Sequence, residues 1–121
     1  MDDNKDKLRE DTICFAIDVS DVCDGISDCK AYVWQLERSS SSIGANIHEA
    51  RYAQSRADFI NKFEVALKEC YETEYWLELL HRKKKLDDDT YLRLTRKCGS
   101  IRRIIISSVT TAKRNAGQTP G

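Results

Sequence analysis

Apolar residues in this chain recur at alternating steps of four and three, and that spacing constrains the fold more than any other feature. Leu8, Thr12, Phe15, Val19, Val22 and Ile26 form the first such stripe. Steps of three and four gather side chains on one face of a 3.6-residue helix, whereas a half-buried strand needs strict alternation. A second stripe holds Val33, Leu36, Ser40, Ile43, Ile47 and Ala50. The third holds Phe59, Phe63, Ala66, Cys70, Thr73, Leu77 and Leu80, widened by Ile60, Leu67 and Trp76, and the fourth Tyr91, Leu94, Cys98, Ile101, Ile105, Ser108 and Ala112. Five Gly and one Pro in 121 residues are too little punctuation for an all-β chain. The length suits one core rather than two. The sequence therefore predicts an all-α fold, an antiparallel up-down-up-down four-helix bundle over residues 1–114, with 115–121 as a polar tail.

The links between stripes carry their own signals. Asp24-Gly25 and Ser27-Asp28 predict a tight turn, although the spacing through Cys29 and Val33 also permits one unbroken helix. Ser55, with Asp58 three residues on, reads as an N-cap close to a capping box. Cations at Arg82–Lys85 and anions at Asp87–Asp89 suit the C-terminal end of one helix and the N-terminal end of the next.

The longest apolar run is Ile104-Ile105-Ile106, far short of the roughly 20 residues that span a bilayer. The charged N-terminus offers no apolar segment of a signal peptide, so the expected location is cytoplasmic. Cys14, Cys23, Cys29, Cys70 and Cys98 lack any Cys-x-x-Cys spacing. Each falls on or beside an apolar face, which predicts reduced core thiols rather than a disulfide framework or zinc site. No cofactor is expected.

A formal net charge of zero conceals an asymmetry: residues 1–50 carry net −6, residues 51–81 net −2 and residues 82–121 net +8. Two readings stay open. The basic end can contact nucleic acid through Arg82, Lys83, Lys84, Lys85, Arg93, Arg96, Lys97, Arg102, Arg103, Lys113 and Arg114. Alternatively, the acidic first helix lies beside the basic last helix, within one subunit or between subunits.

Residues 38–50, Arg-Ser-Ser-Ser-Ser-Ile-Gly-Ala-Asn-Ile-His-Glu-Ala, place small and polar residues within a bundle helix. Ser40, Gly44 and Ala45 lack bulk and invite a close helix approach. Gly44 costs about 1 kcal/mol against Ala in a helix interior, so packing must compensate. Arg38, Ser42, Asn46 and Glu49 form a polar stripe whose members need hydrogen-bond partners; Glu69, Glu72 or Glu74 can supply acceptors from the third helix.

With Gln35-Leu36 ahead of it, this stretch closely resembles the signature of the bacterial four helix bundle protein family, also called the 23S rRNA intervening-sequence protein family. The resemblance continues through Asp58-Phe59-Ile60, Val65-Ala66 and Glu72, and covers residues 35 to about 80. Ala50 replaces the usual Gly after the signature glutamate. What the resemblance implies is a bundle that assembles as a ring-like homopentamer, with Arg38, Ser42, Asn46, Glu49 and Glu72 as the polar seam. The family is related to the accessory variability protein of diversity-generating retroelements, which implies partnership with a reverse transcriptase and contact with RNA or DNA.

Catalytic patterns are incomplete. Glu78-Leu-Leu-His81 has the Glu-x-x-His spacing of di-iron bundles, but the second pair is missing. His48-Glu49 begins like a zincin motif, yet Tyr52 stands where the second histidine belongs. Serines 39–42 have no nucleophile elbow around them. The expectation is a non-enzymatic oligomeric scaffold. Its rivals are a metal-dependent bundle enzyme using Glu49, Glu78 and His81, and a purely structural self-assembling unit.

Overall fold

The computed structural model describes residues 3–118, with side chains from Lys7 to Gly117. Four helices fill it: α1 (Asp3–Asp24), α2 (Lys30–Ala50), α3 (Arg56–Arg82) and α4 (Asp88–Gln118). No strand occurs among the described residues. Helix α1 packs on α2 and α4, and α3 packs on the same two, so α1 and α3 lie diagonally opposite. Short links between successive helices make this the expected up-down-up-down bundle. Helix α4 continues to Gln118, into the segment read as tail, because Asn115, Ala116 and Gln118 are compatible with a helix; residues 119–121 lie outside the described residues.

The periodic stripes are the core. Leu8, Phe15 and Val19 of α1, Leu36, Ile43 and Ile47 of α2, Cys70, Leu77 and Leu80 of α3, and Leu94, Cys98 and Ile105 of α4 are buried in one shared core. The turn lies where Gly25 interrupts: the Gly25 and Ile26 N–H groups bond the carbonyls of Val22 and Cys23. Cys29 then takes a left-handed conformation before α2 begins. Ser55 caps α3 by accepting from the Asp58 N–H at 3.0 Å, while the Asp58 carboxylate accepts from the Gln54 N–H rather than that of Ser55. Asp87 caps α4 by accepting from the Thr90 N–H at 2.7 Å, and this bond holds its carboxyl below the usual range.

Helix α3 closes with a Schellman motif. The Lys85 N–H reaches the Leu80 carbonyl and the Lys84 N–H the His81 carbonyl, which places Lys84 at φ 64°, a position glycine usually fills. Cys23, Cys70 and Cys98 are buried thiols, and burial pushes that of Cys23 up to about 12. Cys14 departs from the expected core placement. It falls one step off the α1 stripe and is exposed. Among the described residues, no helix is long and apolar enough to cross a membrane.

Candidate functional site

Residues 38–50 act first through what they lack. A Cβ on Gly44 would stand 2.9 Å from the Thr12 Oγ1 and 3.1 Å from its Cβ, so the bare glycine admits α1 against α2. The Thr12 hydroxyl, the atom nearest Gly44, donates to the Arg9 carbonyl at 2.7 Å. On the α3 side, the buried hydroxyls of Ser39 and Thr73 stand 3.0 Å apart, and Thr73 donates to the Glu69 carbonyl at 2.7 Å. The sequence reading missed Ser39, although its steps of three from Leu36 and four to Ile43 place it at the edge of the buried face. Small hydroxyls at this crossing let two helices approach without leaving a buried polar atom unpaired.

The polar seam runs along the α2–α3 edge. Arg38 sits 2.5 Å from Glu72 and 3.4 Å from Glu69, and its Nε donates to Gln35 at 3.1 Å. Glu74, the third acceptor offered by the sequence, turns to α4 instead and pairs with Arg102. Glu72 also accepts from the Trp76 indole at 3.4 Å. Burial pushes the Glu69 carboxyl up, with the neighbouring Glu72 adding to it, whereas the hydrogen bond from Arg38 holds Glu72 down. Asn46 donates to the Ser42 carbonyl within its own helix at 2.8 Å, and Glu49 pairs with Lys62 across the edge at 3.1 Å. The buried hydroxyls and the half-exposed ion pairs are thus separate layers of one helix contact.

The residues named for catalysis are not brought together. Glu49 lies at the α2 C-terminal end and His81 at the α3 C-terminal end, which an antiparallel pair places at opposite ends of the bundle. His81 contacts Asp88 at 2.8 Å and stacks on Tyr91, and Glu78 pairs with Arg82 at 2.6 Å. No group of three or more metal-ligating side chains occurs among the described residues. An apolar cavity of about 270 Å³ opens beside Leu8, Ile47, Phe59 and Phe63, with Arg9 and Arg51 among its lining. Neither Glu49, Glu78 nor His81 lines it.

Part of the charge asymmetry is resolved within one chain, where α4 cations meet acids of α1 and α3. Asp18 of α1 takes Arg93 and Lys97 of α4, each at 2.8 Å. Helix α3 takes two more α4 cations, Arg102 on Glu74 at 3.0 Å and Lys113 on Glu64 at 2.9 Å. Lys85 reaches Asp28 at 2.6 Å, and Arg82 is held by Glu78. Lys83, Lys84, Arg96, Arg103 and Arg114 remain without a carboxylate partner among the described residues.

Exposed aromatic residues add a feature that the periodicity did not assign. Trp34 and Tyr75 are each 60% exposed, and Tyr32 stacks on Trp76, whose other contact is the edge of Tyr75. Tyr32, Tyr75 and Trp76 cluster on the α2–α3 edge beside Glu72, while Trp34 stands exposed on α2. The available signal for Tyr32, Trp34 and Tyr75 was their position off the core stripe, whereas Trp76 already belonged to the widened face of α3.

Comparison with known proteins agrees with this architecture. The family described as 23S rRNA-intervening sequence protein matches residues 7–107, a span that reaches all four helices. No curated protein matches the chain. Among solved structures, it is similar to a protein of unknown function from the S23 ribosomal protein family of Bacteroides thetaiotaomicron. The two share 38% identity at a TM-score of 0.83, over 88% of this chain and 97% of that one.

Proposed function

Because the chain belongs to the 23S rRNA-intervening sequence protein family, we propose that it is a non-enzymatic scaffold that self-assembles as a homopentamer and holds nucleic acid or a nucleic-acid-processing partner such as a reverse transcriptase. The observation that carries the reading is the aromatic cluster of Tyr32, Tyr75 and Trp76 on the α2–α3 edge, with a further exposed ring, Trp34, on α2. Tyr and Trp are enriched at the centres of protein interfaces, where they bury much area at low rotamer cost. Here they adjoin ion pairs able to form a polar rim. The cations without acid partners supply phosphate contacts, and a ring repeats each of them by symmetry, so weak contacts add through avidity.

Light scattering combined with mobility-shift titration of structured RNA across salt tests both halves. A ring that binds RNA, with affinity falling as salt rises, is the expected result. A stable monomer overturns the scaffold, and an intact ring with no binding at low salt overturns the nucleic-acid part.

A further inference from the structure

Two of the three α4 cations without a carboxylate partner, Arg96 and Arg103, share one hollow, and Arg114 lies apart from it. Arg96 and Arg103 lie two helical turns apart, about 10 Å along the axis, and both line a depression of about 460 Å³ between α3 and α4. Gly99 lies between them in the sequence and lines the same depression. The guanidinium groups of Arg103 and Arg102 fold over it, at 3.4 Å and 3.6 Å from where its Cβ would be. Those two groups are therefore no more than about 7 Å apart. Two guanidinium groups, of Arg102 and Arg103, meet at one hollow that Arg96 also lines, and its single carboxylate, Glu74, is engaged by Arg102. Like charges gathered this closely repel, and an anion seated among them relieves that repulsion.

The rim adds a second chemistry. Tyr71 of α3 carries the Arg102 guanidinium over its ring at 5.7 Å and is 51% exposed. A cationic hollow flanked by an aromatic face suits unpaired nucleotides, whose phosphates take the arginines while a base stacks on the ring. A duplex offers its phosphates but keeps its bases stacked on one another. Resting on the nucleic-acid part of the function above, we infer that the Arg96–Gly99–Arg103 face of α4, with Tyr71 of α3, binds single-stranded nucleic acid. Lys83 and Lys84 in the α3–α4 link contribute only diffuse charge.

Fluorescence anisotropy on the full chain tests this, with labelled oligo(U), oligo(dT) and a duplex of equal length as probes over a salt series. The wild type is expected to bind both single strands more tightly than the duplex. Arg96→Gln with Arg103→Gln should weaken single-strand binding by about tenfold or more and reduce the salt slope by about 1–2. Lys83→Gln with Lys84→Gln should change it less than about threefold. Gly99→Leu fills the hollow and displaces the arginines over it without altering the net charge, so a matching loss assigns the effect to the site rather than to net charge. Tyr71→Ala should lose about fivefold or more while Tyr71→Phe retains binding, since stacking needs the ring and not the hydroxyl.

Circular dichroism and light scattering on each variant separate misfolding from lost binding. If the wild type binds but the arginine double variant and Gly99→Leu bind equally well, the site is wrong while the nucleic-acid reading stands. Preference for the duplex overturns the single-strand assignment. Absence of any binding at low salt overturns the underlying reading itself.

Discussion

Gly44 shows how one missing carbon sets the distance between two helices. The Thr12 side chain occupies the space where its Cβ would stand. Alanine gains about 1 kcal/mol of helix propensity, yet overpacking typically costs about 1–3 kcal/mol. Gly44→Ala is expected to lower stability by about 1 kcal/mol net, and Thr12→Ala should recover part of that loss because it removes the nearer atom. Urea denaturation of both single variants and the double variant measures the coupling. Lys84 is the reverse case, a side chain where glycine is preferred. Its left-handed φ of 64° at the Schellman position predicts that Lys84→Gly raises stability by about 0.5–1 kcal/mol, visible as a higher melting temperature. Asn46 shows why composition alone misleads. Its amide looked like a group awaiting a partner from another helix, and it is satisfied by the Ser42 carbonyl of its own.

Between helices, surface charge acts as a fastener, and Asp18 is its centre. The hydrogen bond from Arg93, with Lys97 beside it, holds the Asp18 carboxyl below its usual range against the opposing effect of burial. A carboxyl with a lowered folded-state pKa adds stability that is complete above its ordinary value near 3.8 and lost as pH falls through the lower one. Glu69 has the opposite sign, because burial raises it, so its part of the stability is lost as pH rises through the raised value. Asp18→Asn should cost about 1 kcal/mol near neutral pH, at the upper end for such pairs because the carboxylate is mostly covered. It should also flatten the acid limb of the stability profile. The same variant releases two α4 cations on the α1 side, outside the Arg96–Arg103 hollow, so single-strand affinity in anisotropy should change less than about threefold. The stripes foretold these helices because apolar periodicity is local. The pairings were not legible, since Asp18 meets Arg93 only after α1 and α4 are laid side by side in one register.

For the whole molecule, sequence and structure agree best where burial decides. The stripe residues of α2 are buried without exception, and those of α3 follow from Phe63 onward. The partition of the basic residues was illegible for a geometric reason: a count of charges does not say which ones find acids. Once Arg93, Lys97, Arg102 and Lys113 are engaged, the net positive charge of residues 82–121 becomes a small set of unpaired cations on a largely neutralised bundle. The exposed rings were equally hidden, because Trp34 on α2 and Tyr75 on the α2–α3 edge lie outside the core and periodicity describes only that core. An edge of this kind has a purpose if other copies cover it. Native mass spectrometry of the full chain, alone and with oligo(U), tests that claim most directly. The account predicts a discrete five-chain species that takes up oligonucleotide and that Trp34→Ala with Tyr75→Ala converts to folded monomers. A wild-type chain that stays monomeric across concentrations, or a ring indifferent to the loss of both rings, would contradict it.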